Sequence, residues 1–255
     1  MSKMEKFERR QFIKLSLIGT AGVLVGSFFG FAKTETDIEV NSYEDLLKFD
    51  WGYIVDTTRC IGCGSCVRAC KVENNVPDTY FRTWVERYEI TKDENVVVDS
   101  PKGAIEGFDK DDSQTGDIVK AFFVPKLCNH CYDSPCTQVC PVGAAYKSPD
   151  NVILVDQKHC VGCGYCVQAC PYGSRYIDEH RGVADKCTLC YHRIHKGLAP
   201  ACVNSCPRSA RIYGNLKDPN SKINKILHQR RYGLLKPDLG TNPKCYYIGL
   251  DKEVK

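Results

Sequence analysis

Residues 160–171 read CVGCGYCVQACP and hold four cysteines in the pattern C-x2-C-x2-C-x3-C. This spacing is typical of a chain that wraps a cubane iron–sulfur cluster. Three cysteines with two residues between neighbours can converge on one cluster from a tight loop. The fourth is set back by three residues, starts a short helix and usually binds a second cluster. The pattern therefore predicts a cluster loop whose last cysteine belongs to a neighbouring site.

Sixteen of the seventeen cysteines fall into four quartets along the chain. The quartets are Cys60, Cys63, Cys66 and Cys70; Cys128, Cys131, Cys136 and Cys140; Cys160, Cys163, Cys166 and Cys170; and Cys187, Cys190, Cys202 and Cys206. At four thiolates per cluster they predict four [4Fe–4S] clusters. The sequence has no dinucleotide fingerprint, P-loop or nucleophile motif. We therefore predict an electron-transfer protein with no substrate site of its own, rather than a self-standing enzyme.

Zinc and disulfides are the alternative uses of so many cysteines. Structural zinc sites typically combine two C-x2-C pairs a dozen or more residues apart, which only the fourth quartet partly resembles. Zinc also has no redox chemistry that would explain four compact sites in one chain. Disulfides are usual in cysteine-rich exported proteins, but cysteines three positions apart in a tight loop are poorly placed to pair. The spacing favours iron–sulfur clusters.

The first and third quartets belong to an internal repeat. Residues 60–70 and 160–170 match at eight of eleven positions, which include the four cysteines and two glycines. Each unit predicts a short strand, a glycine-bearing cluster loop and a short helix. Glycine is expected in the loop because a chain that folds around a cubane needs positive φ and brings backbone N–H groups close to sulfur.

Composition divides the chain into a targeting segment (1–32), a polar linker (33–48) and a tandem four-cluster ferredoxin domain (49–250). Residues 92–117 are acidic, contain glycine and lie between two β-rich segments, so they predict a β-hairpin insertion. Residues 221–231 have helical character, and residues 234–250, which are interrupted by proline and glycine, predict an extended C-terminal arm. Within this arm the odd cysteine, Cys245, is expected to be a structural residue of a strand.

Residues 1–32 predict an export signal of the twin-arginine type. Arg9 and Arg10, with Phe12 and Lys14, precede an apolar stretch that ends in small residues. This route carries folded proteins with their cofactors inserted, so the cysteines would be committed to clusters before they meet an oxidising compartment. The alternative is an uncleaved membrane anchor. We expect a peripheral protein on the periplasmic face of the cytoplasmic membrane, with the signal cleaved or retained.

The formal net charge of +4 does not indicate a nucleic-acid partner. Residues 1–32 contribute five basic and two acidic side chains, so the rest of the protein is nearly neutral. Each oxidised cluster with its four thiolates adds a charge of about −2. The loaded protein is therefore expected to be acidic.

The order of the quartets resembles a known family. The runs that carry the resemblance are Cys128-Asn129-His130-Cys131, Cys140-Pro141-Val142-Gly143-Ala144, Cys163-Gly164-Tyr165-Cys166 and Ala184-Asp185-Lys186-Cys187. They are similar to the four-cluster ferredoxin subunits of membrane-linked molybdenum or tungsten oxidoreductases, over roughly residues 52–250. The resemblance implies an α+β fold of two ferredoxin-like lobes, with the clusters in a line. It also implies two partners, a molybdopterin-bearing catalytic subunit and a quinone-reactive integral membrane subunit.

In that family the first quartet pairs with the fourth and the second with the third. The ligand sets implied here are Cys60, Cys63, Cys66 and Cys206 (cluster 1); Cys187, Cys190, Cys202 and Cys70 (cluster 2); Cys128, Cys131, Cys136 and Cys170 (cluster 3); and Cys160, Cys163, Cys166 and Cys140 (cluster 4). A basic group lies between Cys190 and Cys202 and consists of His192, Arg193, His195 and Lys196. It is expected either to face a cluster or a partner, or to lie on the solvated surface. A free polyferredoxin shuttle and a ferredoxin partner of a cytochrome-type reductase are the alternative functions.

Overall fold

The structure, a computed structural model, describes residues 42–108 and 117–254. The predicted targeting segment, most of the linker and the tip of the insertion lie outside these residues. The fold is mixed α and β, with four small sheets and short helices, as the α+β prediction requires. The division into two lobes stays a prediction.

The first sheet has three strands in the order β10-β1-β9. Strand β1 (Trp51–Asp56) lies at its centre and is buried along its whole length. It pairs antiparallel with β9 (Arg211–Asn215) and parallel with β10 (Cys245–Ile248). The C-terminal segment therefore contributes a strand to the same sheet that leads into the first quartet. The strand environment predicted for Cys245 is confirmed.

The second sheet contains the predicted insertion. Strands β2 (Thr83–Thr91) and β4 (Ile118–Leu127) form a long antiparallel pair, and β3 (Val96–Asp99) adds to the outer edge of β2. A short 3-10 segment, Pro101–Ala104, follows β3. The buried guanidinium of Arg87 forms an ion pair with Asp99 at 2.9 Å, which fixes β3 against β2. The insertion thus contributes a third strand, β3, to this sheet.

Two further sheets each have two antiparallel strands. One pairs β5 (Ala145–Lys147) with β6 (Ile153–Val155), and the other pairs β7 (Arg175–Asp178) with β8 (Val183–Lys186). Strand β6 precedes the third quartet in the way that β1 precedes the first, as the repeat predicts.

The helices are short, and most of them lie within or next to a cysteine quartet. Those next to or within the quartets are α2 (Ser65–Asn74), α3 (Pro135–Gln138), α4 (Tyr165–Gln168), α5 (Tyr191–Ile194) and α6 (Ala201–Asn204). The others are α1 (Tyr43–Leu46) and α7 (Lys222–Gln229), with 3-10 turns at Thr57–Arg59 and Pro237–Leu239. Helix α7 confirms the helical character predicted from Ser221, whose side chain caps it by accepting from the N–H of Asn224. In the two described ranges, none of the helices has the length and apolar character needed to cross a membrane.

Candidate iron–sulfur sites

The sixteen quartet cysteines line four separate cavities, and each cavity takes three cysteines from one quartet and one from another. Numbered to match the predicted clusters, the cavities are lined by Cys60, Cys63, Cys66 and Cys206 (cavity 1); Cys70, Cys187, Cys190 and Cys202 (cavity 2); Cys128, Cys131, Cys136 and Cys170 (cavity 3); and Cys140, Cys160, Cys163 and Cys166 (cavity 4). The structure thus groups the cysteines in the crossed sets that the resemblance implies. Which cysteine ligates which iron stays a prediction.

All seventeen cysteines lie in the described residues, and all are free thiols. Cys245 lies in β10, is 1% exposed and is not among the residues lining these four cavities. Burial raises the pKa of its thiol to about 12, which keeps it protonated and unreactive at neutral pH. These properties agree with the structural role predicted for this residue.

The cluster loops turn at glycines that occupy the left-handed region. Gly64 and Gly164 stand at equivalent positions of the repeat, with φ of +66° and +78°, and each is the N-cap of the following helix. A Cβ on Gly64 would lie 1.8 Å from the carbonyl oxygen of Ala104, and one on Gly162 would lie 2.3 Å from that of Gly182. The loops therefore need glycine for the positive φ that the sequence predicted, and also for close packing against neighbouring carbonyl groups.

Backbone amides are directed at several of the cavity sulfur atoms. The N–H groups of Ala145 and Ala210 donate to Sγ of Cys140 and Cys206 at 3.4 and 3.2 Å. Burial acts to raise the pKa of Cys140, but backbone N–H groups from residues 142–145 outweigh it and lower that pKa. Such donors favour the thiolate, which is the form that binds metal.

Other cavity thiols are protonated before metal binds. Burial raises the pKa of Cys60 to about 11 and those of Cys131 and Cys187 to about 12. Because only thiolates ligate iron, loading of these sites must release protons. At these sites the bound metal, which is cationic, stabilises the thiolate form of each cysteine.

The residues around the cavities fit iron–sulfur clusters. Each cavity offers four soft sulfur ligands within a largely apolar lining, which is the donor set that such clusters use. Cavity 3 also contains the side chain of Arg175, which is 5% exposed. Among the described residues its Nε, Nη1 and Nη2 have no hydrogen-bond partner. An unpaired buried cation is costly, and an anionic cluster with its thiolates would offset that cost.

Three of the four side chains in the basic group predicted between Cys190 and Cys202 have structural partners. His192 and Arg193 contact the carboxylate of Glu73 on α2 at 2.7 and 2.8 Å, and His195 contacts the buried carboxylate of Asp150 at 2.9 Å. This group therefore joins α5 to other elements, as expected of surface side chains with hydrogen bonds.

His130 is a buried residue of the second quartet. Its Nδ1 accepts from the N–H of Ile153 at 3.1 Å, so this nitrogen is engaged by the backbone. The four cysteines around cavity 3 complete a cluster ligand set without it.

Sequence reasoning missed several polar residues around the sulfur atoms. The hydroxyl of Tyr53 lies 3.2 Å from Sγ of Cys202, and the amide of Asn74 lies 3.6 Å from Sγ of Cys70 and Cys190. Two buried arginines were also missed, although a signal exists: each follows a Cys-Pro pair at the spacing C-P-x3-R, five residues after the cysteine. These are Arg175 and Arg211.

Comparisons with known proteins agree with this geometry. Two models, each described as a 4Fe-4S dicluster domain, match residues 59–144 and 119–216. The B subunit of tetrathionate reductase from Salmonella typhimurium is 40% identical over 245 residues, covering 95% of this sequence and 88% of that protein. The chain is a member of this family of iron–sulfur B subunits. It is an electron-transfer subunit of the oxidoreductase class, and its two dicluster domains provide for four [4Fe–4S] clusters.

Other relatives in the family have similar coverage. The B subunit of tetrathionate reductase from Archaeoglobus fulgidus is 46% identical over 198 residues, which cover 78% of this sequence and 81% of that protein. The B subunit of polysulfide reductase from Wolinella succinogenes is 36% identical over 199 residues, covering 78% of this sequence and 93% of that protein. The likeness thus extends over most of each protein, beyond the cysteine motifs alone.

Proposed function

We propose that this subunit relays single electrons through its four clusters between a quinone-reactive membrane subunit and a molybdopterin-bearing catalytic subunit. The observation that carries the proposal is the grouping of sixteen cysteines into four compact sets within one chain. Relatives named as subunits of tetrathionate and polysulfide reductases support the kind of complex. A relay needs several clusters in one protein, and one polypeptide holds all four sets.

The proposed ligands of each cluster are the four cysteines that line its cavity. Clusters of this type supply one-electron redox chemistry at potentials set by charge, hydrogen bonds and solvent access. The chain holds them on glycine turns, directs N–H groups such as that of Ala184 at sulfur (3.3 Å to Cys160), and limits water with apolar side chains. Val67, on the helix that follows the first cluster loop, is 1% exposed and belongs to the same hydrophobic core as Cys66.

Isolation of the complex tests the proposed function. A tagged protein taken from its own membranes is expected to co-purify with a large pterin-bearing protein and a hydrophobic protein, and to reduce or oxidise quinone analogues only within that complex. Separated from its partners under anaerobic conditions, it should hold about sixteen iron atoms. Purification of the chain alone, with full redox activity towards soluble partners, would instead favour a free shuttle or a ferredoxin partner of a cytochrome-type reductase.

We further propose that residues 1–32 direct twin-arginine export, which places the complex on the periplasmic face. These residues lie outside the described part of the chain, and support comes from Arg9, Arg10 and the apolar stretch after them. Replacement of both arginines by lysine keeps the charge but removes the guanidinium geometry that a receptor can read. We expect the double variant to bind its clusters and remain in the cytoplasm.

Fractionation of cells with metal analysis of each compartment measures this effect, and a Lys3→Arg, Lys6→Arg variant provides the matched control. An unchanged periplasmic amount of the Arg9→Lys, Arg10→Lys holoprotein would contradict the proposal and indicate that a partner carries the export signal. Retention of that variant at its normal place in the membrane would favour the uncleaved anchor.

A further inference from the structure

Two buried arginines occupy equivalent positions in the chain. Strands β7 and β9 each begin five residues after the last cysteine of a quartet, with Arg175 after Cys170 and Arg211 after Cys206. Both side chains are almost fully buried, with exposures of 5% and 2%. In both segments a proline directly follows the cysteine, so the same local route brings an arginine to the buried start of a strand.

Each arginine lines one cavity, and Arg211 also reaches toward a second. Arg211 lines cavity 1, and its Nη2 donates to Thr83 Oγ1 at 2.9 Å; Thr83 in turn lines cavity 2. Arg175 lines cavity 3.

Both guanidinium groups have hydrogen-bonding capacity left over. Within residues 42–108 and 117–254, all three nitrogens of Arg175 and Nη1 of Arg211 lack a hydrogen-bond partner. Arg82 gives the contrast: it lines cavity 2, but its guanidinium is paired with the Asp185 carboxylate at 2.8 Å and donates to Asn74 at 3.1 Å. Its charge is therefore locally neutralised, whereas no acidic side chain pairs with Arg175 or Arg211 among the described ion pairs.

At cavity 4 the equivalent position, five residues after the closing cysteine, holds no cationic side chain. Its closing cysteine, Cys140, is also followed by proline, and strand β5 begins five residues later with Ala145. The residues that line cavity 4 are cysteines and small or apolar residues, with no charged side chain among them. The arginine is thus present at two of three equivalent strand starts, so the strand geometry does not require it.

We propose that Arg175 and Arg211 set the reduction potentials of the clusters in cavities 3 and 1, as fixed internal counter-charges. The proposal rests on the cluster function and ligand sets proposed above. A guanidinium stays protonated at all relevant pH values. Addition of one electron to a cluster raises its negative charge by one, and a buried cation stabilises that charge with little screening by water or salt. Each arginine therefore makes reduction of its own cluster easier than it would be beside a neutral side chain.

Redox titration of the anaerobic holoprotein, followed by EPR, tests the proposal. Arg175→Met is expected to lower the equilibrium constant for reducing cluster 3 at least tenfold, about 59 mV for one electron. Arg211→Met is expected to lower the equilibrium constant for reducing cluster 1 by a similar factor. Signals are assigned with Cys→Ser variants at the respective cavities, and Arg231→Gln, an exposed arginine, is the control for net charge.

Arg175→Lys and Arg211→Lys separate charge from packing. The Lys variants keep a positive charge in a smaller head group. Cluster reduction potentials near those of the unmodified protein would therefore support the proposal, even if the Met variants lose a cluster. Unchanged reduction potentials in Met variants that retain about sixteen iron atoms would overturn the proposal. Lys variants whose reduction potentials shift as far as those of the Met variants would also overturn it. A wild-type protein without four clusters would instead overturn the proposed function, so the two failures are distinguishable by iron content.

Discussion

Gly64→Ala is expected to destroy the site at cavity 1 and to cost about 3–5 kcal/mol of folding free energy. Two effects combine. A residue with a Cβ at φ of +66° loses about 1–2 kcal/mol relative to glycine. In addition, the new Cβ would lie 1.8 Å from the carbonyl oxygen of Ala104, so the loop and the 3-10 segment Pro101–Ala104 must separate. Cys63 and Cys66 flank this glycine, so displacement of the loop moves two thiols of one set.

Gly164→Ala is the matched control, because it occupies the equivalent position of the repeat at cavity 4. Its φ of +78° carries a similar backbone cost, but no atom lies within 4 Å of the added Cβ. The control should lose only about 1–2 kcal/mol and keep its cluster. Iron per protein and the urea midpoint for loss of cluster absorbance measure both variants. Equal losses in the two variants would show that backbone strain alone, and not the contact with Ala104, decides the outcome.

The features that could be predicted from the sequence depend on local spacing. The quartets, the strands before the first and third of them, the glycine turns and helix α7 all follow from residues within about a dozen positions of each other. The four cysteine sets did not follow from spacing alone. They came from the resemblance, because a crossed grouping depends on which distant loops the fold brings together.

The features that sequence reasoning missed depend on pairing between distant segments. Strand β10 lies parallel to β1 although almost two hundred residues separate Tyr53 from its partner Cys245. The insertion was predicted as a β-hairpin, but its strand β3 pairs with β2, which precedes the insertion, and the Arg87–Asp99 ion pair joins the two strands. Arginine side chains are mostly exposed in proteins, and the three-dimensional placement of cavity 3 shows that Arg175 is buried beside cysteines.

The crossed grouping gives a second test with a large expected effect. Cys206 stands in the fourth quartet but lines cavity 1, and Cys70 stands in the first quartet but lines cavity 2. Cys206→Ser is therefore expected to damage the cluster of Cys60, Cys63 and Cys66, with a loss of between one and about four iron atoms per protein. A serine oxygen is a poorer ligand for iron than a thiolate, and it leaves one corner weakly held.

Cys70→Ser is the reciprocal variant and serves as the control. It should spare cluster 1 and damage the cluster of Cys187, Cys190 and Cys202, with iron loss similar to that in Cys206→Ser. EPR spectra of the two reduced proteins should then lack different signals, each absent from one variant and present in the other. If ligation followed the order of the chain, the assignments would be exchanged: Cys206→Ser would damage the site of its own quartet and leave the site at Cys60 intact. Because the two substitutions make the same chemical change in two buried or half-buried thiols, a difference between the spectra reports only which cavity each cysteine closes.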